Sequence, residues 1–282
     1  MNLFTKFFIA FLIWTIAFLS LGGYASNKAF QQDPDILSKI EDKYHVAIHI
    51  GGISKKNTPS NYEQANDSWK LAPPAKKIVL KVVSSDISIK KSAGSEIVIT
   101  ANGLLDKSKS DQLLETKISS DELVISEPDN EAVRKVSIQV ELPASYTQAL
   151  DIIAVNGDIA AEGLTLNDLS VKTVSGNVTF NNLNAKSWSL HSVSGDIKAD
   201  SSSFTKISGK TVSGEIEITN QIPAQIDFTS VSGDVKMKLA KTDNIFFNLK
   251  SLSGSINNKH GSNRKGDFEV NVSTASGDIE IE

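Results

Sequence analysis

Val155-Asn156-Gly157-Asp158-Ile159 returns six more times, as Val174-Ser175-Gly176-Asn177-Val178, Val193-Ser194-Gly195-Asp196-Ile197, Val212-Ser213-Gly214-Glu215-Ile216, Val231-Ser232-Gly233-Asp234-Val235, Leu252-Ser253-Gly254-Ser255-Ile256 and Ala275-Ser276-Gly277-Asp278-Ile279. The first four steps between copies are 19 residues each, and the last two are 21 and 23. A period near 20 marks a solenoid, whose units cannot bury an apolar face alone and stack on their neighbours to do so. The chain therefore reads as all-β: a single-chain β-solenoid, β-helix-like, with about 19 residues per coil and an N-terminal β region. Right-handed winding is the expectation, as for parallel crossovers generally.

Counted from the first residue of each pentapeptide, apolar side chains recur five and three residues before it, at that residue, and four and six after it. Leu150/Ile152/Val155/Ile159/Ala161 is one such set and Trp188/Leu190/Val193/Ile197/Ala199 another. Spacing of two is the strand period, so each coil should hold two short strands with these positions turned inward. Gly157, Gly176, Gly195, Gly214, Gly233, Gly254 and Gly277 mark the corner between the strands, where a sharp turn calls for a positive φ that a Cβ makes costly. Stacked in chain order, the coils leave Ile279-Glu280-Ile281-Glu282 as an uncovered last strand, with Glu280 and Glu282 guarding its edge by charge.

An eighth, degenerate coil lies upstream, where Ile78, Leu80, Val83, Ile87 and Ile89 keep the spacing around Val83-Ser84-Ser85-Asp86-Ile87, with Ser85 in place of glycine. Residues 96–142 lose the period. They read as strands at Ile97–Ile99, Leu113–Ile118, Leu123–Ile125 and Val136–Leu142, with a hairpin about Ser119-Ser120-Asp121-Glu122. Four segments follow: 1–25, a signal peptide or uncleaved anchor; 26–75, an N-terminal segment and flexible tether; 76–148, the degenerate coil and hairpin region; and 149–282, the seven-coil solenoid.

Lys6 precedes an apolar run, Phe7–Leu21, and Gly23-Tyr24-Ala25 supplies small residues for a cut after Ala25, the pattern of a secretory signal peptide. Uncleaved, Phe7–Ala25 approaches the ~20 residues of a membrane helix. Either way the body is expected outside the cytoplasm, periplasmic or at the cell surface, or anchored in the inner membrane facing outward. Asp33-Pro34-Asp35 suits the start of a short helix, Tyr44–Ile50 alternates like a strand, and Ser54–Pro74 has the composition of a flexible tether. Zero cysteine excludes disulfides, thiolate metal sites and cysteine nucleophiles. With 29 basic against 33 acidic residues, and no basic cluster interleaved with aromatics, nucleic acid is not an expected partner.

The Val-Ser-Gly-Asp-Ile iteration, the strand pair ahead of it, the Val136–Pro143 segment and the exported start together resemble the bacterial family of β-strand-repeat domains of unknown function labelled putative adhesin. The resemblance covers about residues 76–282. It implies the solenoid fold and a surface role, and it carries over no catalytic residue.

Asp158, Asp196, Glu215, Asp234 and Asp278 form an acidic corner ladder whose members would lie about 5 Å apart on adjacent coils. That spacing suits a shared Ca²⁺ or a glycosidase acid and nucleophile. The reading adopted is that each carboxylate caps its own glycine turn, with Asn177 and Ser255 interrupting the ladder. His45 and His49 would sit about 13 Å apart on a strand, too far for one metal. His191 falls at an outward position and His260 in the basic loop Asn257–Asp267, which also carries Lys259, Arg264 and Lys265. Trp188 and Phe228 read as core, and Trp69 as a contact residue. No nucleophile elbow, phosphate loop or dinucleotide fingerprint is present, and no cofactor or metal is implied. The function expected is therefore a monomeric, exported, non-enzymatic scaffold presenting a surface to an envelope protein or glycan. A carbohydrate-active enzyme using the corner carboxylates and a membrane-tethered signalling module are the alternatives.

Overall fold

The computed structural model describes residues 61–282 other than 129–130, 222–224, 241–243 and 261–265. The signal or anchor, His45 and His49, and the expected short helix lie outside the described residues. So do Arg264 and Lys265.

Each coil is a pair of strands meeting at the glycine corner. The degenerate coil is β2 (Lys77–Val82) with β3 (Ser85–Ser92). The repeat adds β8 (Ala149–Asn156) with β9 (Ile159–Glu162), β10 (Thr165–Ser175) with β11 (Val178–Asn181), and β12 (Asn184–Ser194) with β13 (Ile197–Asp200). It continues with β14 (Ser203–Ser213) and β15 (Ile216–Gln221), β16 (Gln225–Ser232) and β17 (Val235–Leu239), β18 (Ile245–Ser253) and β19 (Ile256–Asn258), and β20 (Phe268–Ser276) and β21 (Ile279–Ile281). First members of these pairs align in a ten-stranded sheet and second members in an eleven-stranded one, counted over the described residues. Neighbouring coils pair in parallel with residues in register, so that Ile152, Val171 and Leu190 form one row. Successive buried residues thus stack in columns between the sheets. Trp188 is fully buried there, stacked on Phe204 at 4.8 Å and edge-on to Phe180 at 5.3 Å. Gly209 keeps the inward position beside Phe228 empty, since a Cβ there would lie 2.0 Å from the ring.

One inward assignment is overturned. Val155, Val174, Val193, Val212 and Val231 are half-buried and Leu252 and Ala275 are exposed; in every one of these coils but that of Leu252 the buried residue is the one before, namely Ala154, Thr173, Ser192, Thr211, Ser230 and Thr274. Strict period two explains it: positions five, three and one before the pentapeptide share a face, and its first residue falls on the other. The buried hydroxyls of Thr173, Ser192 and Thr211 donate to the carbonyls of Ser175, Ser194 and Ser213 at 3.3, 3.4 and 3.1 Å. They tie the last inward side chain of each of these coils to its own corner.

The order of coils differs from chain order at both ends. At the C-terminal end β20 lies between β16 and β18, and β21 between β17 and β19. The last coil in sequence therefore fills a slot that β18 and β19 skipped. The steps of 21 and 23 residues supply the extra chain needed to pass one slot and come back. Ile279–Ile281 is covered on both sides, contrary to the expectation from chain order, and among the described residues β18 and β19 form the edge. Glu282 does not guard an edge but ion-pairs with Lys259 of the outer coil.

At the other end, β6 (Glu122–Ser126) and β7 (Val133–Pro143) make a coil outside the degenerate one, pairing with β2 and β3. Beyond them, β5 (Glu115–Ile118) completes the expected hairpin with β6, and β4 (Ile97–Asp106) runs antiparallel to β7. The outermost strand is β1 (Tyr62–Leu71), antiparallel to β4, so this part of the expected tether is sheet. Asp67 accepts the Leu113 amide at 2.7 Å, the Tyr62 hydroxyl donates to the Glu131 carbonyl at 2.7 Å, and Arg134 lies over the Tyr62 ring at 4.4 Å. Trp69 packs on the core as part of this cap.

Candidate binding surface

Backbone proximity shapes the corner. The seven repeat glycines have φ between +116° and +157°. A Cβ on any of them would lie 2.1–2.3 Å from a carbonyl oxygen of the adjoining corner, which belongs to Ser85 for Gly157 and to another glycine for the rest. The glycine requirement is thus imposed twice, by the turn and by the neighbouring coil.

The corner side chains serve the neighbour as well. Asp158 Oδ1 accepts the Asn177 amide at 2.8 Å, Asn177 Oδ1 that of Asp196 at 3.0 Å, and Asp196 Oδ1 that of Glu215 at 2.9 Å. Asp86 extends the column by accepting the Asp158 amide at 2.9 Å. Further along, Asp234 accepts from Asp278 at 2.8 Å and Asp278 from Ser255 at 2.7 Å. Each side chain caps the next coil's turn, and not its own as the sequence suggested. Asn177 continues the column because an amide oxygen accepts as a carboxylate does. Ser255 stands on the last coil of the stack among the described residues. Glu215, one methylene longer, turns to Lys236 at 2.6 Å. Among the described residues no group of three or more His, Asp or Glu is placed to hold a metal ion.

Two outward faces remain. On the eleven-stranded sheet, charges alternate in sign across strands: Lys198 pairs with Glu217 at 2.9 Å, and Lys259 with Glu282. These partners hold the lysines above and Glu282 below their ordinary pKa ranges, chiefly through the side-chain hydrogen bonds.

The ten-stranded sheet carries rows of like residues, aligned by the parallel register. Ser170, Ser189 and Ser208 form one row. The next, two residues along each strand, runs from Glu115 and Ser126 through Lys81, Ile153, Lys172, His191, Lys210, Thr229 and Ser273 to Lys250, with no acid in it past Glu115. The half-buried valines Val174, Val193 and Val212 follow, and then the exposed corner serines. Burial first, and then the charges of Lys172 and Lys210, hold His191 below the usual histidine pKa. Sequence reading placed His191 outward and missed the row, because Lys172, His191 and Lys210 are 19 residues apart and meet only through the register. The 19-residue step itself was the available signal.

The Toastrack DUF4097 family profile matches residues 75–282. Among curated proteins none matches the chain. Similar solved structures include a putative adhesin from Bacteroides fragilis, 16% identical with a TM-score of 0.47 over 78% of this chain and 97% of that one. Another is a putative cell adhesion protein from Clostridium sporogenes, 14% identical with a TM-score of 0.41 over 78% and 99%. A putative lipid binding protein from Parabacteroides distasonis is 11% identical, with a TM-score of 0.30 over 78% and 96%. With the family profile spanning the degenerate coil, the hairpin region and every glycine corner, the chain belongs to the Toastrack DUF4097 family.

Proposed function

We propose that this chain is an exported, non-enzymatic β-solenoid whose ten-stranded outer face is a binding surface for a protein or glycan of the bacterial cell envelope. The observation that carries the reading is the alignment of like side chains into rows on that face, which offers an extended partner the same chemistry at each coil. The engagement of the corner side chains with backbone amides supports a scaffold over a hydrolase, since a glycosidase needs one carboxyl to protonate and another to attack. Export rests on the Phe7–Leu21 run and Gly23-Tyr24-Ala25; mass spectrometry of the mature N-terminus distinguishes a cleaved signal from a retained anchor.

The test is retention of the purified full chain on isolated envelope fractions. Ser189→Glu/Ser208→Glu on the proposed face should abolish retention, and Thr179→Glu/Lys198→Glu on the opposite face should leave it. Equal retention of both double variants would overturn the assignment of the face.

A further inference from the structure

Resting on that binding role, we propose that the strip Lys172–His191–Lys210 is a subsite for a linear acidic polysaccharide running across the strands, with the serine row on one side and the valine row on the other. Three chemistries lie in parallel lines here. Lysines one coil either side of His191 meet carboxylates, the hydroxyls of Ser170, Ser189 and Ser208 meet sugar hydroxyls, and Val174, Val193 and Val212 form a shallow half-buried ledge suited to the C–H face of a sugar ring. Adjacent coils repeat every ~4.8 Å and alternate residues along a strand every ~6.6 Å, so a saccharide chain laid along the central lysine line has the serine line about 6.6 Å to one side and the valine line as far to the other.

Charge density selects the polymer. The strip is bracketed in the serine row by Asp151, which pairs with Lys77 at 2.5 Å, and by Asp227. Asp168 lies beyond the serines on β10. A polyanion charged at every unit would lay negative groups over these carboxylates, whereas a glycan with spaced acids reaches the lysines and clears them. The formal net charge of −4 likewise provides no general field to gather nucleic acid.

The geometry also couples binding to protons. The charged groups facing His191 from the flanking strands are Lys172 on β10 and Lys210 on β14, and both oppose its protonation. A carboxylate seated on the strip reverses that field, so the complex takes up a proton and affinity rises as pH falls through the histidine range.

The experiment titrates hyaluronan oligosaccharides, which carry a carboxylate on every second sugar, into the purified full chain at pH 7.5 and 5.5 in low salt, with dextran, phosphatidylglycerol vesicles and single-stranded DNA as comparison probes. Hyaluronan should bind, more tightly at pH 5.5, with dextran silent. Lys172→Ser/Lys210→Ser should weaken binding at least ~10-fold, and Lys198→Ser/Lys236→Ser on the opposite sheet should change it less than ~2-fold, as expected for local rather than long-range electrostatics. Saturation with hyaluronan should raise the His191 pKa followed by ring-proton NMR, and His191→Gln should flatten the pH profile. The proposal is overturned if hyaluronan fails to bind, if both lysine pairs matter equally, if dextran binds as well, or if vesicles or DNA use the same lysines with higher affinity. Failure of hyaluronan with envelope retention intact removes only the polysaccharide assignment; loss of both removes the binding role too.

Discussion

At the residue scale, the repeat unit is governed by how closely two corners approach. Gly195→Ala places a Cβ 2.2 Å from the Gly176 carbonyl oxygen at a φ of +116° and should cost about 3 kcal/mol or more. Asp196→Ala frees one exposed amide and should cost about 1 kcal/mol. Asp196→Asn should be within about 0.5 kcal/mol of the parent, since Asn177 already does the same work one coil away. Urea midpoints of the three variants test the ordering, and Asp196→Ala as the worst would show that the corner carboxylates do more than cap. His191 gives a pH prediction. Its folded pKa lies below the ordinary 6.5, so as pH falls below 6.5 the unfolded chain takes up a proton first and the fold loses stability until the folded group titrates. The fall in melting temperature between pH 7.5 and 5.5 should therefore be smaller in His191→Gln than in the parent. The need for glycine at each corner was legible from spacing alone. The second reason for it was not, because the opposing carbonyl comes from residues 19 or more away.

At the element scale, strands form where apolar residues alternate, but their partners are set elsewhere. Tyr62–Leu71 has the Asn, Ser and Lys content of a linker, yet it is an edge strand with one exposed face, whose order depends on β4. The degenerate coil shows a different substitution. Its corner carries Ser85 where the others have glycine, and the buried Glu127 carboxylate from beside β6 accepts the Val83 and Ser84 amides at 3.0 and 3.2 Å and the Ser85 hydroxyl. Glu127→Ala leaves the buried Ser85 hydroxyl and the partly buried Val83 and Ser84 amides without this acceptor and should destabilise the chain by about 3 kcal/mol. Hydrogen exchange should place the damage in β2, β3 and β6 and leave β12–β14 protected; uniform loss across the solenoid would refute a local role.

At the scale of the whole molecule, the two ends are unlike. Among the described residues one ends in the antiparallel strands β1, β4 and β5, and the other presents the parallel strands β18 and β19 with Leu252 88% and Ile256 45% exposed. Open apolar edges promote association, so Leu252→Lys should lower light scattering at high concentration with little change in stability. Glu280→Thr/Glu282→Thr should not raise it, because β21 is covered by β17 and β19. Ending the chain at residue 260 removes β20 and β21 from between β16/β17 and β18/β19. Amides of β18 should then lose exchange protection along with the deleted coil, and retained protection would mean that the coils stack in chain order. By itself the sequence determined the repeat, the two strands of each coil, the glycine corners and most of the core, from Leu150 and Ile152 to Ile279 and Ile281. Alternation and backbone conformation are properties of a short segment and repeat wherever the segment does. Only the tertiary structure decided which coil lies beside which, which row faces outward in company with Lys172, His191 and Lys210, and which strands stand at each end. Any two coils of like register satisfy the same parallel hydrogen bonds, so local sequence leaves their order degenerate and the packing of the ends resolves it.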